Sequence, residues 1–276
     1  MKLKNIGAVI GAGMLVCALG LAGCSGNGGA SSASSSAAGE GAAAEEAVLV
    51  NDGKLTVAAS LDFPPFENLE GEEAVGFEVD LMKALAEQMG LEADYLPSTK
   101  FDTIIPLITA GGQADVGVSG FTVTEDRKKE IDFTDVIIDS NQGVVVMPGS
   151  GYTSVDDLEG KRIATQSGTT GYDWAVENIP GADVIPYDEM TAVFTALQGN
   201  QADAIVADLP VVQYYVNTAY TDMEVMAEIP TGEQYAIVVS KDNPALTQQL
   251  NEALAELKAN GTYDEIYEKW FGASAE

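Results

Sequence analysis

"GFEVDLMKALAEQMG" (residues 76–90) decides the fold, because its apolar residues recur at helical spacing rather than in alternation. Phe77, Val79, Leu81, Met82, Leu85 and Met89 fall along one side, so the segment reads as an amphipathic helix with an apolar surface to cover. It is flanked by two strand-like runs, "LTVAAS" (55–60) and "ADYLPS" (93–98). Strand, helix and strand in that order form the unit of a parallel sheet. The order continues with a helix in "FDTIIPLITAGG" and a fully buried strand in "ADVGVSG" (114–120). It resumes with "RIATQS", "YDWAVENI", "ADVIPY", "MTAVFTALQGN", "ADAIVAD" and "PVVQYYVNTA". These segments predict an α/β protein of two lobes, each a mainly parallel sheet flanked by helices.

An internal echo points to the same layout. "GGQADVGVSG" (111–120) and "GNQADAIVAD" (199–208) both close a helix at Gly-x-Gln-Ala-Asp and then run a strand of equal length, which sets Gly120 and Asp208 at matching positions. Both strand ends lead into a helix start, where open α/β sheets bind ligands.

Composition removes several functions. The chain has no histidine, and its cysteines, Cys17 and Cys24, both precede the folded region. Imidazole bases, His-ligated metals, thiolate clusters and thiol nucleophiles are therefore excluded there, and no metal or cofactor is expected. With 43 acidic against 13 basic residues and a net charge of -30, sequence-independent nucleic-acid binding is excluded as well.

The N-terminus reads as an address. "MKLKN" is a basic start, Ile6 to Gly23 is uncharged, and the run ends at Leu21-Ala22-Gly23-Cys24. That ending resembles the lipobox of bacterial lipoproteins, which implies a signal peptide over 1–23 and a lipid on Cys24; an ordinary secretory signal is the alternative. Residues 25–47 contain only Gly, Ser, Ala, Asn and Glu. Such a segment cannot form a core, so 24–50 is expected to be a flexible tether, with a reach of roughly 25 Å.

Arg127 and Arg162 are the only arginines. In "SGFTVTEDRKKEIDF" (119–133), Thr124 is a candidate N-cap for a short helix, with Glu125 and Asp126 in its first turn. Arg127 then lies about one turn in, where its planar fork can reach back over the strand end and suits a carboxylate. "EDRKKE" taken alone would instead be a solvated charge run.

Taken in order, "DFPPFE", "GFEVDLMKALAEQMG", "FDTIIPLITAG", "ADVGVSGFTVTEDRKKEIDFT", "GKRIATQSGTTG", "QADAIVAD" and "ANGTYDEIYEKWFG" resemble the polar amino-acid substrate-binding proteins of bacterial ABC importers, from about residue 53 to residue 272. The resemblance implies a periplasmic-binding-protein-like clamp of two lobes joined by two hinge crossovers. Lobe 1 would comprise 51–142 plus 234–276 and lobe 2 would comprise 143–233, with crossings near Asn141 to Val144 and Gly232 to Tyr235. It also implies that Arg127 clamps the ligand α-carboxylate, assisted by backbone N–H groups of Thr122 and Thr170. The Gly120 carbonyl, the Thr122 hydroxyl and the Asp208 carboxylate would accept from the α-ammonium. Asp208 before "LPVVQ" is equally a helix N-cap, and Thr170 in "SGTTG" equally a turn residue. Phe63 and Phe101 match aromatic walls around the ligand side chain, Ser119 joins the site, and Phe66 is assigned to the core.

Ser60 and Gln166 match specificity positions. Relatives that bind basic amino acids often carry an acid at the position of Ser60, so the serine here counts against a simple cation-binding pocket, and some glutamine binders carry a lysine at that of Gln166. With no cation evident near the side-chain end, a basic or glutamine-like ligand ranks first, cystine-like second and acidic last. The resemblance thus implies a monomeric, non-enzymatic receptor, lipid-anchored on the extracytoplasmic face of the membrane, that delivers a free polar amino acid to a permease and its ATPase. Alternatives are an enzyme of the cyclohexadienyl or arogenate dehydratase kind, or a sensory lipoprotein presenting ligand to another membrane partner.

Overall fold

The computed structural model describes residues 47–272, so the expected signal peptide, Cys24 and most of the expected tether lie outside the described residues. Lobe 1 opens with β1 (Lys54–Ala58), followed by a small antiparallel sheet of β2 (Asp62–Phe63), β3 (Glu67–Glu70) and β4 (Glu73–Val75). The predicted helix follows as α1 (Phe77–Gln88) and buries Phe77, Val79, Leu81, Met82 and Leu85. Then come β5 (Glu92–Tyr95), α2 (Phe101–Ala110), β6 (Val116–Gly117), α3 (Arg127–Glu130) and β7 (Asp132–Phe133). The chain crosses on β8 (Ile138–Val146). Lobe 2 contains β9 (Arg162–Gln166), α4 (Thr170–Asn178), β10 (Asp183–Tyr187), α5 (Met190–Gln198), β11 (Ala204–Asp208) and α6 (Leu209–Thr218). It returns on β12 (Glu224–Tyr235) and ends with β13 (Val238–Val239), α7 (Pro244–Asn260) and α8 (Thr262–Phe271) in lobe 1.

Both large sheets are mixed. Their orders are β5-β1-β6-β13-β7 and β10-β9-β11-β8-β12, with the first three strands of each parallel and the last two joined by antiparallel pairing. The parallel triplet carries the expected helical crossovers. Only the fourth strand of each sheet, β13 or β8, runs against the triplet, and each of these follows the preceding strand, β12 or β7, at a crossing with no helix between. β6 and β11 hold the same place in the two orders, which gives the internal echo a structural counterpart.

β6 is much shorter than the expected strand 114–120 because the chain turns out of the ladder at Gly120, whose φ is +57°. Residues 121–123 then pair with the end of β12: Val123 N–H donates to the Gln234 carbonyl at 2.8 Å and Ala236 N–H to the Phe121 carbonyl at 3.1 Å. β12 is irregular between Ile229 and Glu233, where Gly232 N–H donates to Asn141 Oδ1 at 3.0 Å. A bulge of this kind bends a strand and re-aims a side chain, and here it directs Glu233 toward Thr122.

The C-terminal helices close lobe 1 with aromatics. Phe271 packs on Phe77 and Phe66 at centroid distances of 5.2 and 5.5 Å, and Phe66 is fully buried, as assigned. Residues 48–50, assigned above to the tether, are held on this lobe: Val50 N–H donates to Asp115 Oδ1 at 2.7 Å, and Val48 and Asn243 exchange two hydrogen bonds. Among the described residues no helix is long and apolar enough to cross a membrane.

Candidate functional site

The cleft between the lobes is closed. Asp62 of lobe 1 accepts at Oδ2 from Met190 N–H at the start of α5 (2.6 Å), and its carbonyl accepts from the Tyr215 hydroxyl (2.9 Å). Ser167 donates to Asp102 at 3.2 Å, and Lys100 is ion-paired with Asp188.

Arg127 opens α3 instead of lying a turn into it, because the N-cap position falls on Asp126 and not on Thr124; Thr124 Oγ1 still accepts the Arg127 backbone N–H at 3.2 Å. The guanidinium donates to the Thr122 carbonyl at 2.8 Å and, across the cleft, to the Gly168 carbonyl at 3.0 Å. It lies 5.5 Å from each of the ring centroids of Phe101 and Phe121, which stack on each other at 4.6 Å. Burial pulls its pKa below the ordinary value, opposed by the charges of Asp208 and Glu233. The fork is thus oriented by two aromatic faces and two neutral acceptors.

Asp208 ends β11 at the N-cap position of α6, yet its carboxylate makes no cap bond. The N-cap role is therefore positional only. Pro210 lies in the first turn, so one of the N–H groups a cap would satisfy is absent. The carboxylate instead accepts from Gln142 Nε2 at 2.6 Å. Burial first, and the charge of Glu233 second, push its pKa up to about 7, against the lowering effects of Tyr235, Gln142 and Arg127.

Thr122 and Thr170 meet at Glu233. Their hydroxyls donate to the same carboxylate oxygen, Oε2, at 2.7 and 2.9 Å, while Gln142 Nε2 donates to Oε1 at 3.0 Å. Thr170 opens α4, and the preceding Thr169 caps that helix through Tyr172 N–H at 3.2 Å. The structure thus brings Arg127, Thr122, Thr170 and Asp208 around one point.

The remaining candidates line the lobe 1 wall and the far lip. Ser60 N–H donates to Ser119 Oγ at 2.8 Å, and Ser60 Oγ donates to Asp62 Oδ1 at 2.9 Å. Gly120 donates to buried Glu78 at 3.1 Å, and a Cβ on Gly120 would sit 2.7 Å from Phe63 Cε1 and 3.1 Å from Tyr235 Cε2. Gly120→Ala therefore combines left-handed backbone strain with overpacking, and should cost about 1–3 kcal/mol of stability in urea melts. Gln166 is buried in lobe 2, donates to the Asp188 carbonyl at 3.3 Å and leaves Oε1 without a partner.

Sequence reasoning missed Glu233, Gln142 and Asp62. The first two lie inside the segments named as crossings, and the available signal was a polar side chain where the chain passes between lobes. Lys100 stands on the far lip of the cleft, beside Asp188, Asp102 and Glu189. Its charge is taken up by Asp188, leaving Asp62, Asp102 and Glu189 in excess there. Burial first and Asp62 second raise the pKa of Glu189.

Fold and site together define a two-lobed binding clamp with a cationic fork and an anionic group facing one cleft. Residues 55–273 match the bacterial extracellular solute-binding proteins, family 3, and the chain belongs to that family. It is similar to the ABC transporter arginine-binding protein 1 of Escherichia coli K12, with 34% identity over 79% of this chain and 90% of the relative. Among solved structures it is similar to an ancestral arginine-binding protein bound to arginine, with 37% identity, a TM-score of 0.75, and coverage of 80% of this chain and 99% of the other. It is also similar to an ancestral amino-acid-binding protein described as a precursor of cyclohexadienyl dehydratase, with 34% identity, a TM-score of 0.72, and coverage of 79% and 96%.

Proposed function

We propose that this chain is the extracytoplasmic receptor of an amino-acid ABC importer, which binds one free polar amino acid by hinge closure and delivers it to the permease. The observation that carries this reading is the arginine fork of lobe 1 facing the buried carboxylate of lobe 2 across a closed cleft. A zwitterion supplies the complement of both ends, and only the closed form contacts both. Gly120, Thr122 and Asp208 take the ammonium, while Arg127 and the Thr122 and Thr170 N–H groups take the carboxylate. Phe63, Phe101, Ser60, Ser119 and Gln166 surround the side chain. The excess of carboxylates on the far lip, together with the free Gln166 acceptor, supports a basic side chain ahead of a glutamine-like one and disfavours an acidic one.

No chemistry is assigned to the cleft. Lipidation of Cys24 would hold the receptor at the membrane, and Cys24→Ala should then move the protein from the membrane fraction to the soluble one. The binding reading is tested by thermal shift against the standard amino acids, ornithine, citrulline and cystine. Ligand at 100 times its Kd should add about 2.7 kcal/mol of stability. Arginine or lysine is expected to give the largest shift. Prephenate and arogenate in the same panel test the dehydratase reading, which a shift confined to them would favour.

A further inference from the structure

Glu233 belongs to neither group of ligand contacts assigned above, yet it joins more parts of the clamp than any of them. It is only 9% exposed. Its Oε2 takes the Thr122 hydroxyl of lobe 1 at 2.7 Å and the Thr170 hydroxyl of lobe 2 at 2.9 Å. Both its oxygens accept from Gln142 on the other crossing strand, at 3.0 and 3.2 Å, and the same Gln142 nitrogen reaches Asp208 at 2.6 Å.

A carboxylate only accepts hydrogen bonds, whereas a hydroxyl has one proton to give and lone pairs to offer. With its proton directed to Glu233, Thr122 Oγ1 presents only lone pairs to the cleft. Such an oxygen can accept from an ammonium and cannot donate to it. The bond from Gln142 likewise orients the Asp208 carboxylate.

We propose that Glu233 is the positioning residue of the ammonium end of the site, setting the polarity of the Thr122 hydroxyl and, through Gln142, the orientation of Asp208. The proposal rests on the amino-acid receptor reading and adds to it a residue that need not touch the ligand. The titratable groups around Glu233 are Asp208 on β11, Tyr235 on its own strand and Arg127 from lobe 1. Asp173 and Glu177 on α4 line the same surface cleft, of about 470 Å³. Glu233 is one of the charges that keep Asp208 from ionising, so its removal should let Asp208 ionise at lower pH.

The test compares Glu233→Ala and the volume-conserving Glu233→Gln with wild type, using L-arginine, L-glutamine and the des-amino analogue of each, which lacks only the α-ammonium. Both variants should lose about 10- to 100-fold in affinity for the amino acids and change little for the des-amino analogues. The pH below which affinity declines should move down in Glu233→Gln. Equal losses for both ligand types, or no loss for either, would overturn the proposal. Failure of the receptor reading shows separately, as wild-type protein that binds neither amino acid, and takes this proposal with it.

Discussion

Arg127→Ala should lower amino-acid affinity by at least about a hundredfold, and Arg127→Lys should recover only a small part of it. In the closed cleft the fork donates to two neutral carbonyls, of Thr122 and Gly168, at 2.8 and 3.0 Å. An entering α-carboxylate exchanges neutral acceptors for a charged one, and each charge-assisted bond contributes about 1.5–3 kcal/mol. The rings of Phe101 and Phe121 already orient the guanidinium, so little ordering cost remains to be met on binding. Lysine keeps the charge but loses both the plane that stacks on those rings and the paired donors. Calorimetric titration with L-arginine and L-glutamine measures the loss, and the unliganded melt shows whether each variant is folded. A folded Arg127→Ala protein with wild-type affinity would remove the carboxylate from this residue.

Local periodicity placed α1 to within two residues of its observed ends, because its amphipathic stripe and its packing surface are the same residues. It placed β6 and β11 as equivalent strands because each follows a helix that stops at the same triplet. Long-range pairing was less legible. β8 and β12 form their ladder across most of lobe 2, and no local pattern in "IDSNQGVVV" or "EVMAEIPTGEQY" announces the partner. The site followed the same division. Arg127 and Asp208 were readable as candidates at strand ends that precede helices and Thr122 only through the family resemblance, whereas Glu233 joins the candidate site only through the irregular register between Ile229 and Glu233. Asp62 was hidden similarly, since its partner Met190 is 128 residues away.

Asp208 should give the protein opposite pH dependences with and without ligand. Its pKa is raised from 3.8 to about 7, so between those values the unliganded native state holds a proton that the unfolded chain has released. Stability then falls as pH rises through that window, by an amount on the order of a few kcal/mol, because the native state binds the extra proton. Ligand binding has the reverse sign. The α-ammonium requires ionised Asp208, so affinity should rise with pH, up to about tenfold per unit, and level off above about 7. Glu67, Glu78 and Glu189 also have raised values and add to the unliganded slope. The difference between wild type and Asp208→Asn isolates the contribution of Asp208. The amide has nearly the same shape and stays neutral, so Asp208→Asn should be the more stable protein at pH 8 and should bind amino acids at least about a hundredfold more weakly there. Paired melts and titrations from pH 5 to 8 measure both effects. Parallel stability curves for the two proteins would show that Asp208 is ionised throughout the range, and the ammonium end would then be set by a fixed rather than a ligand-induced charge.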